Sequence, residues 1–217
     1  MILSHGRRYL FIHIPKTGGT SLALALEGRA MKDDIMLGDT PKARNRRSRV
    51  KGIETRGRLW KHSTVADLDG LISAQDLDGL FLFALVRNPW ARAVSYYHWL
   101  RRQDFDHPAV RIAKAHDFSP FLNHRLITNS FRVSPARHYV TDATGWERPA
   151  LFIRLEHFEE DAQPLFDHLG FRLELPQENV TGTGATYRQY YSESDSLLLA
   201  DSCAEDINRF GYRFDGA

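Results

Sequence analysis

Lys16 stands in the run Pro15-Lys16-Thr17-Gly18-Gly19-Thr20-Ser21, which holds one cation, three hydroxyls and two adjacent glycines. Paired glycines let a backbone turn sharply and aim consecutive N–H groups at one point. With the Lys16 ammonium and the hydroxyls of Thr17, Thr20 and Ser21 alongside, the chemistry on offer is the gripping of an anion. A second set is Arg87-Asn88-Pro89-Trp90-Ala91-Arg92-Ala93-Val94-Ser95. A guanidinium such as Arg87 can make two parallel hydrogen bonds to a phosphate, and Ser95 is spaced to reach the same group. The third candidate is His62, in Trp60-Lys61-His62-Ser63-Thr64. An imidazole with an unperturbed pKa of about 6.5 suits general-base work at neutral pH.

The elements that must carry these residues follow from the hydrophobic pattern. Tyr9–Ile14 reads as a buried strand and Ser21–Glu27 begins a helix. The first set therefore sits at a helix N-terminus, whose partial positive charge adds roughly 0.3–1 kcal/mol for an anion. Leu80–Val86 is a nearly continuous apolar run, as expected of a central parallel strand covered on both faces. Asn88 can cap the next helix, with Pro89 at its first position. At about 100° per residue, Asn88, Ala91 and Ser95 share one small polar face that can lie along a ligand. Trp90, Val94 and Tyr97 share the opposite face, which the pattern packs on the sheet. Arg58–Lys61 is predicted as a short strand bringing His62 to its end, with Thr64 and Asp67 at capping-box spacing for a helix through about Ile72. Leu151–Leu155 is another strand, followed by a helix ending at Gly170 and a Gly/Thr loop, Thr181–Thr186. The last helix runs from about Glu193 to Arg209, started by Ser192 with Asp195 and stopped by Gly211.

Strand-like and helix-like stretches thus alternate. The expected fold class is α/β, a P-loop-like domain with a central, mainly parallel sheet flanked by helices. In such sheets ligands gather at the carboxyl ends of the strands, where both candidate sets stand. The 217 residues are expected to form a single domain, with 31–57 and 105–150 as excursions on the acceptor side. The longest apolar runs fall far short of the roughly 20 residues of a spanning helix. The N-terminus has no signal-peptide layout and Cys203 is the single cysteine, so the expected compartment is the cytoplasm. No metal site is expected, since the ten histidines show no ligand spacing such as H-E-x-x-H. Net charge is only +2, which does not suggest a nucleic-acid binder. Yet Lys42, Arg44, Arg46, Arg47, Arg49 and Lys51 crowd into ten positions, either as a solvated loop or as a surface for an anionic partner.

Taken together, the two anion-gripping sets resemble the sulfotransferases that use 3′-phosphoadenosine-5′-phosphosulfate (PAPS), in particular the sulfotransferase-2-like branch that acts on carbohydrate hydroxyls. Phe11-Ile12-His13-Ile14-Pro15-Lys16-Thr17-Gly18-Gly19-Thr20-Ser21 looks like that family's 5′-phosphosulfate loop, and Val86 to Ser95 like its 3′-phosphate motif. Weaker similarity touches Ile153-Arg154-Leu155-Glu156, Tyr187-Arg188-Gln189-Tyr190-Tyr191 and Asp206 to Phe214. The resemblance implies transfer of a sulfuryl group from PAPS to a hydroxyl, release of 3′-phosphoadenosine-5′-phosphate (PAP), and no metal. It assigns Lys16 to the bridging oxygens, Thr17 to Ser21 to the 5′ end, Arg87 and Ser95 to the 3′-phosphate, and Arg188 to closure over the nucleotide. A base is expected at His62; His13, inside the first strand, is expected to be structural. The acceptor is expected to be a carbohydrate, with 42–51 able to hold an anionic glycan; oligomeric state is left open.

Two other readings stand beside this one. A nucleotide kinase would carry G-x-x-x-x-G-K-[ST], with the lysine after the glycines, whereas Lys16 precedes Gly18 and Gly19. The central strand also leads into Arg87 rather than a metal-holding aspartate. A non-catalytic module binding a nucleotide or an anionic glycan is the third reading.

Overall fold

A computed structural model describes residues 1–176 and 187–215 of the chain. Five strands form one sheet in the order β3-β1-β2-β4-β5: β1 (Ile2–Ser4), β2 (Tyr9–Ile12), β3 (Ile35–Met36), β4 (Phe81–Val86) and β5 (Leu151–Arg154). β2, β4 and β5 pair in parallel, with Phe11 opposite Phe83 and Leu85 opposite Ile153. β1 is antiparallel to both its neighbours, so the other four strands all run one way. This is the mainly parallel α/β sheet read from the sequence.

The described helices are α1 (Gly19–Gly28), α2 (Pro41–Arg46), α3 (Ala74–Asp78), α4 (Pro89–Arg101), α5 (Pro108–Ala115), α6 (Phe118–Asn123), α7 (Arg125–Arg132), α8 (Ala136–Val140), α9 (Phe158–Asp161), α10 (Gln163–Leu169), α11 (Glu193–Ser202) and α12 (Ala204–Phe210). The chain divides into two units: Met1–Val86 with Ala136–Glu178, and Arg87–Pro135 with Asn179–Ala217.

The first unit holds the sheet. Tyr9, Phe11, Phe83, Leu85 and Ile153 are buried in one core with Leu22 and Leu26 of α1 and Leu165 and Phe166 of α10. The rings of Phe11 and Phe83 stack across the strands with centroids 5.4 Å apart. Each such aromatic or aliphatic burial is worth about 1.5–3 kcal/mol. The alternate residues Leu10, Ile12, Leu82 and Ala84 are buried as well, so β2 and β4 are covered on both faces.

In the second unit, α4 is the central helix. Trp90 Nε1 donates to Ser196 O of α11 (3.0 Å), and the Tyr97 ring packs on Phe118 and Phe121 of α6 at 5.5 and 5.0 Å. Within its own unit, the apolar face of α4 is met by helices at Trp90 and Tyr97. An aromatic face accepts helices as readily as strands, and the periodicity alone does not choose the partner.

Other expectations shift locally. No strand forms at Arg58–Lys61, which is irregular and leads into a turn at Lys61. Ser63 Oγ explains it: it donates to Arg58 O and accepts from Trp60 N, folding the segment on itself. Thr64 and Asp67 do cap each other (Thr64 N to Asp67 Oδ2 2.8 Å, Asp67 N to Thr64 Oγ1 3.2 Å), yet only the 3₁₀ turn Ala66–Leu68 follows. The excursion 31–57 is more ordered than expected, since it contributes β3 and α2. The last helix breaks at Cys203, with the Ser192–Asp195 capping box and the left-handed Gly211 where the sequence places them. The Gly/Thr loop Thr181–Thr186 lies outside the described residues.

Candidate functional site

Connectivity marks one place on the sheet. From β2 the chain passes through α1 to β3, on one side; from β4 it returns at β5, on the other. The order therefore reverses between β2 and β4, whose carboxyl ends lie side by side in the register Ile12 opposite Ala84. That is the crevice where open α/β sheets collect their ligands. The Lys16 loop leaves the end of β2, and Arg87 directly follows the end of β4.

The loop after β2 has an unusual backbone. Lys16 adopts φ 66°, in the left-handed region that disfavours side chains, and Gly18 follows at φ 88°, ψ 4°. For a non-glycine residue this conformation costs roughly 1–2 kcal/mol. Two left-handed residues one apart bend successive N–H groups toward a common concave side, the geometry of an anion nest. Thr17 closes the loop from within, its Oγ1 donating to Ile14 O at 2.9 Å. Its hydroxyl proton is thereby committed within the loop. α1 begins at Gly19 with no side-chain cap and no acid in its first turn, so the positive end of its dipole is not neutralised locally. The residues present suit a phosphosulfate.

Both glycines are also demanded by close packing. A Cβ on Gly18 would press on the Leu155 side chain, and one on Gly19 would overlap the ring of His13. His13 is thus drawn to the loop itself. Its ring lies 4.6 Å from that of His62, edge to face, and its carbonyl oxygen meets His62 Nδ1 at 2.7 Å. Since a carbonyl only accepts, Nδ1 carries the proton and Nε2 of His62 keeps its lone pair. Burial pushes the His62 pKa down to about 4, against the smaller opposing effect of that hydrogen bond. Burial likewise holds His13 well below the usual histidine range, with His62 and then the cations Lys61 and Lys16 pushing the same way. Both imidazoles are neutral at pH 7.

The structure therefore brings Lys16, Thr17, Gly18, Gly19, Thr20, Ser21 and His62 into one neighbourhood of the first unit, with His13 as the piece between the loop and His62. The sequence reading missed that role. The available signal was position: His13 directly follows Ile12, the last residue of β2, so it stands at a strand end rather than within the strand.

In the second unit, Asn88 Oδ1 accepts from Trp90 N (3.1 Å) and Ala91 N (3.3 Å), as its capping position predicts. Its amide donates to Arg213 O at 3.1 Å. Asn88 is therefore engaged by protein groups and holds α4 in place. Arg87 is half-buried and Ser95 buried. Arg188 is exposed; its Nε donates to Phe214 O (3.1 Å) and stands 3.9 Å from Asp215 Oδ1. Tyr187 OH donates to the same carbonyl, and the Phe214 ring packs among Trp90, Tyr187 and Tyr191. His98 bonds Tyr190 OH at 3.0 Å and belongs to the packing of α4.

Among the described residues no group of three His, Cys, Asp or Glu could hold a metal ion, and no helix is long and apolar enough to cross a membrane. No family model matches the chain, and no curated protein does. Among solved structures it is similar to mouse sulfotransferase SULT7A1 complexed with PAP, at 16% identity and a TM-score of 0.48, over 94% of this chain and 85% of that one.

Proposed function

We propose that the chain is a PAPS-dependent O-sulfotransferase acting on a hydroxyl of a carbohydrate acceptor. The observation that carries the reading is the coincidence of motif and topology. The run that resembles a 5′-phosphosulfate loop and the run that resembles a 3′-phosphate motif leave the two strand ends that flank the reversal of strand order. The left-handed Lys16 backbone supports it, because strain of that kind persists where a site needs it.

PAPS supplies an activated sulfuryl group whose transfer to an alcohol yields a sulfate ester, PAP and one proton. The protein's work is positioning and electrostatics. The nest of Lys16 to Ser21 holds the 5′ end, and the Lys16 ammonium offsets charge building on the leaving phosphate. Arg87 and Ser95 hold the 3′-phosphate, and Arg188 closes over the nucleotide. His62 Nε2 accepts the acceptor's proton, while the His13 carbonyl keeps the tautomer that leaves Nε2 basic. A pKa near 4 makes His62 a weak base that is never idle through protonation at neutral pH, and the acceptor oxygen acidifies as its bond to sulfur forms.

The pH profile of PAP release from PAPS, measured with a mixed polysaccharide acceptor, tests this. The rate is expected to stay level from about pH 8 to about pH 5.5 and to fall only near the His62 pKa of about 4. His62→Asn is expected to lower it on the order of 10²–10⁴-fold and to abolish that acid limb. A wild-type limb centred near the unperturbed histidine value of about 6.5, or near-normal turnover in His62→Asn, would remove His62 as the base.

A further inference from the structure

We propose that a small cavity in the first unit anchors one hydroxyl of the acceptor, and that the acceptor is a polyhydroxylated compound bearing a negative group. The proposal rests on the sulfuryl-transfer reading and extends it to the substrate.

The cavity, of about 20 Å³, has an apolar floor from β1, β3 and α1 and polar walls from His13, Thr20, Asp39, Thr40 and Lys61. That volume takes one water-sized group, so it suits a single hydroxyl rather than a whole ring. Two of its polar walls are more than nine-tenths buried: His13 is 7% exposed and Thr40 6%. Thr40 Oγ1 has no hydrogen-bond partner, an expensive state for a buried hydroxyl and one that an entering hydroxyl repairs. Because the His13 ring also lies against Gly19, the cavity adjoins the anion loop.

Charge at the rim selects the rest of the ligand. Lys61 Nζ meets Asp39 at 2.6 Å, and the Asp39 carboxylate is more than half exposed. Arg44 and Arg47 project from the helical segment that also contributes Ala43 to the lining, and both are exposed. The hydrogen bond from Lys61 and the fields of Lys61, Arg44 and Arg47 hold the Asp39 carboxyl below its usual range, which places these cations in reach of the rim. Three cations thus face one carboxylate. Three other cations of the basic segment are spent inside the fold: Lys42 Nζ on Glu27 O, and Arg46 and Arg49 on Asp34 O. The segment thus supplies three bracing cations and two, Arg44 and Arg47, that face outward beside the cavity.

Direct binding of two trisaccharides decides the matter: trigalacturonate, which is acidic, and neutral maltotriose, each titrated into the whole protein without nucleotide. Trigalacturonate is expected to bind about tenfold tighter, an advantage that shrinks as salt rises from about 0.05 to about 0.5 M. Thr40→Val is expected to weaken both roughly fivefold while leaving the melting temperature unlowered, because its hydroxyl supports nothing in the fold. Arg44→Glu with Arg47→Glu is expected to erase the preference for the acidic sugar. Equal affinities for the two sugars, or unchanged binding in Thr40→Val, would overturn the subsite. Titration with PAP runs alongside. Wild-type protein that binds the acidic sugar in this way but not PAP keeps the subsite and loses the transfer reading; binding of PAP alone does the reverse.

Discussion

At the scale of single residues, the most informative feature is a lysine in a backbone conformation that suits glycine. Lys16 sits at φ 66°. Were its side chain dispensable, glycine at that position would relieve the strain. Lys16→Gly is therefore expected to leave stability unchanged or raise it by up to about 1 kcal/mol, since glycine's greater unfolded freedom takes back part of the gain. The same change is expected to lower transfer on the order of 10²–10³-fold, through loss of the charge that the proposed transfer sets against the leaving oxygens. Chemical denaturation and turnover of the one variant check both halves. A variant that loses stability and turnover together would mark Lys16 as structural. His13 teaches a related lesson. Its residue type gave no hint of its role, because a histidine beside a buried strand is ordinarily packing; what it does depends on the carbonyl and ring meeting His62 from 49 positions away.

At the scale of elements, the two strand-to-helix corners were legible because their signals are local. The strand β4, the Asn88 cap and Pro89 at the first helical turn all stand where hydrophobic run and capping chemistry place them. Asn88→Ala removes an acceptor for two backbone N–H groups and a donor to Arg213 O. It is expected to lower unfolding free energy by about 1–2 kcal/mol, measurable by urea titration; a change below about 0.3 kcal/mol would mean the cap is idle. The failures were tertiary. The Arg58–Lys61 segment has the composition of a strand, but Ser63 offers it local hydrogen bonds and no neighbouring strand pairs with it. β1 and β3 escaped notice because three-residue and two-residue strands carry too few positions for a period to show. The α4 face was read correctly as buried, with Trp90, Val94 and Tyr97 all covered, since amphipathicity reports burial and not the partner.

At the scale of the whole molecule, the sheet is what the sequence conveyed best, and the acceptor side is what it conveyed least. Nearly continuous apolar runs identify central parallel strands without reference to anything distant. The order β3-β1-β2-β4-β5, and with it the reversal between β2 and β4, is decided by which strands pair, and no window of sequence contains that. The basic segment was ambiguous for the same reason: the carbonyls that Lys42, Arg46 and Arg49 brace lie at Glu27 and Asp34, outside it. The proposed sulfuryl transfer requires that Lys16 and Arg87, each following the end of one of two neighbouring strands, serve opposite ends of one doubly phosphorylated adenosine. Calorimetric titration with PAP and with AMP, which lacks the 3′-phosphate, addresses this most directly when done on wild type, Lys16→Ala and Arg87→Ala without added metal. A charge-assisted grip worth about 1.5–3 kcal/mol corresponds to a preference for PAP of roughly 10–150-fold. Arg87→Ala is expected to collapse that preference while sparing AMP, and Lys16→Ala to weaken both nucleotides alike. Wild-type protein that binds AMP as well as PAP, or an undiminished preference in Arg87→Ala, would contradict the shared nucleotide site.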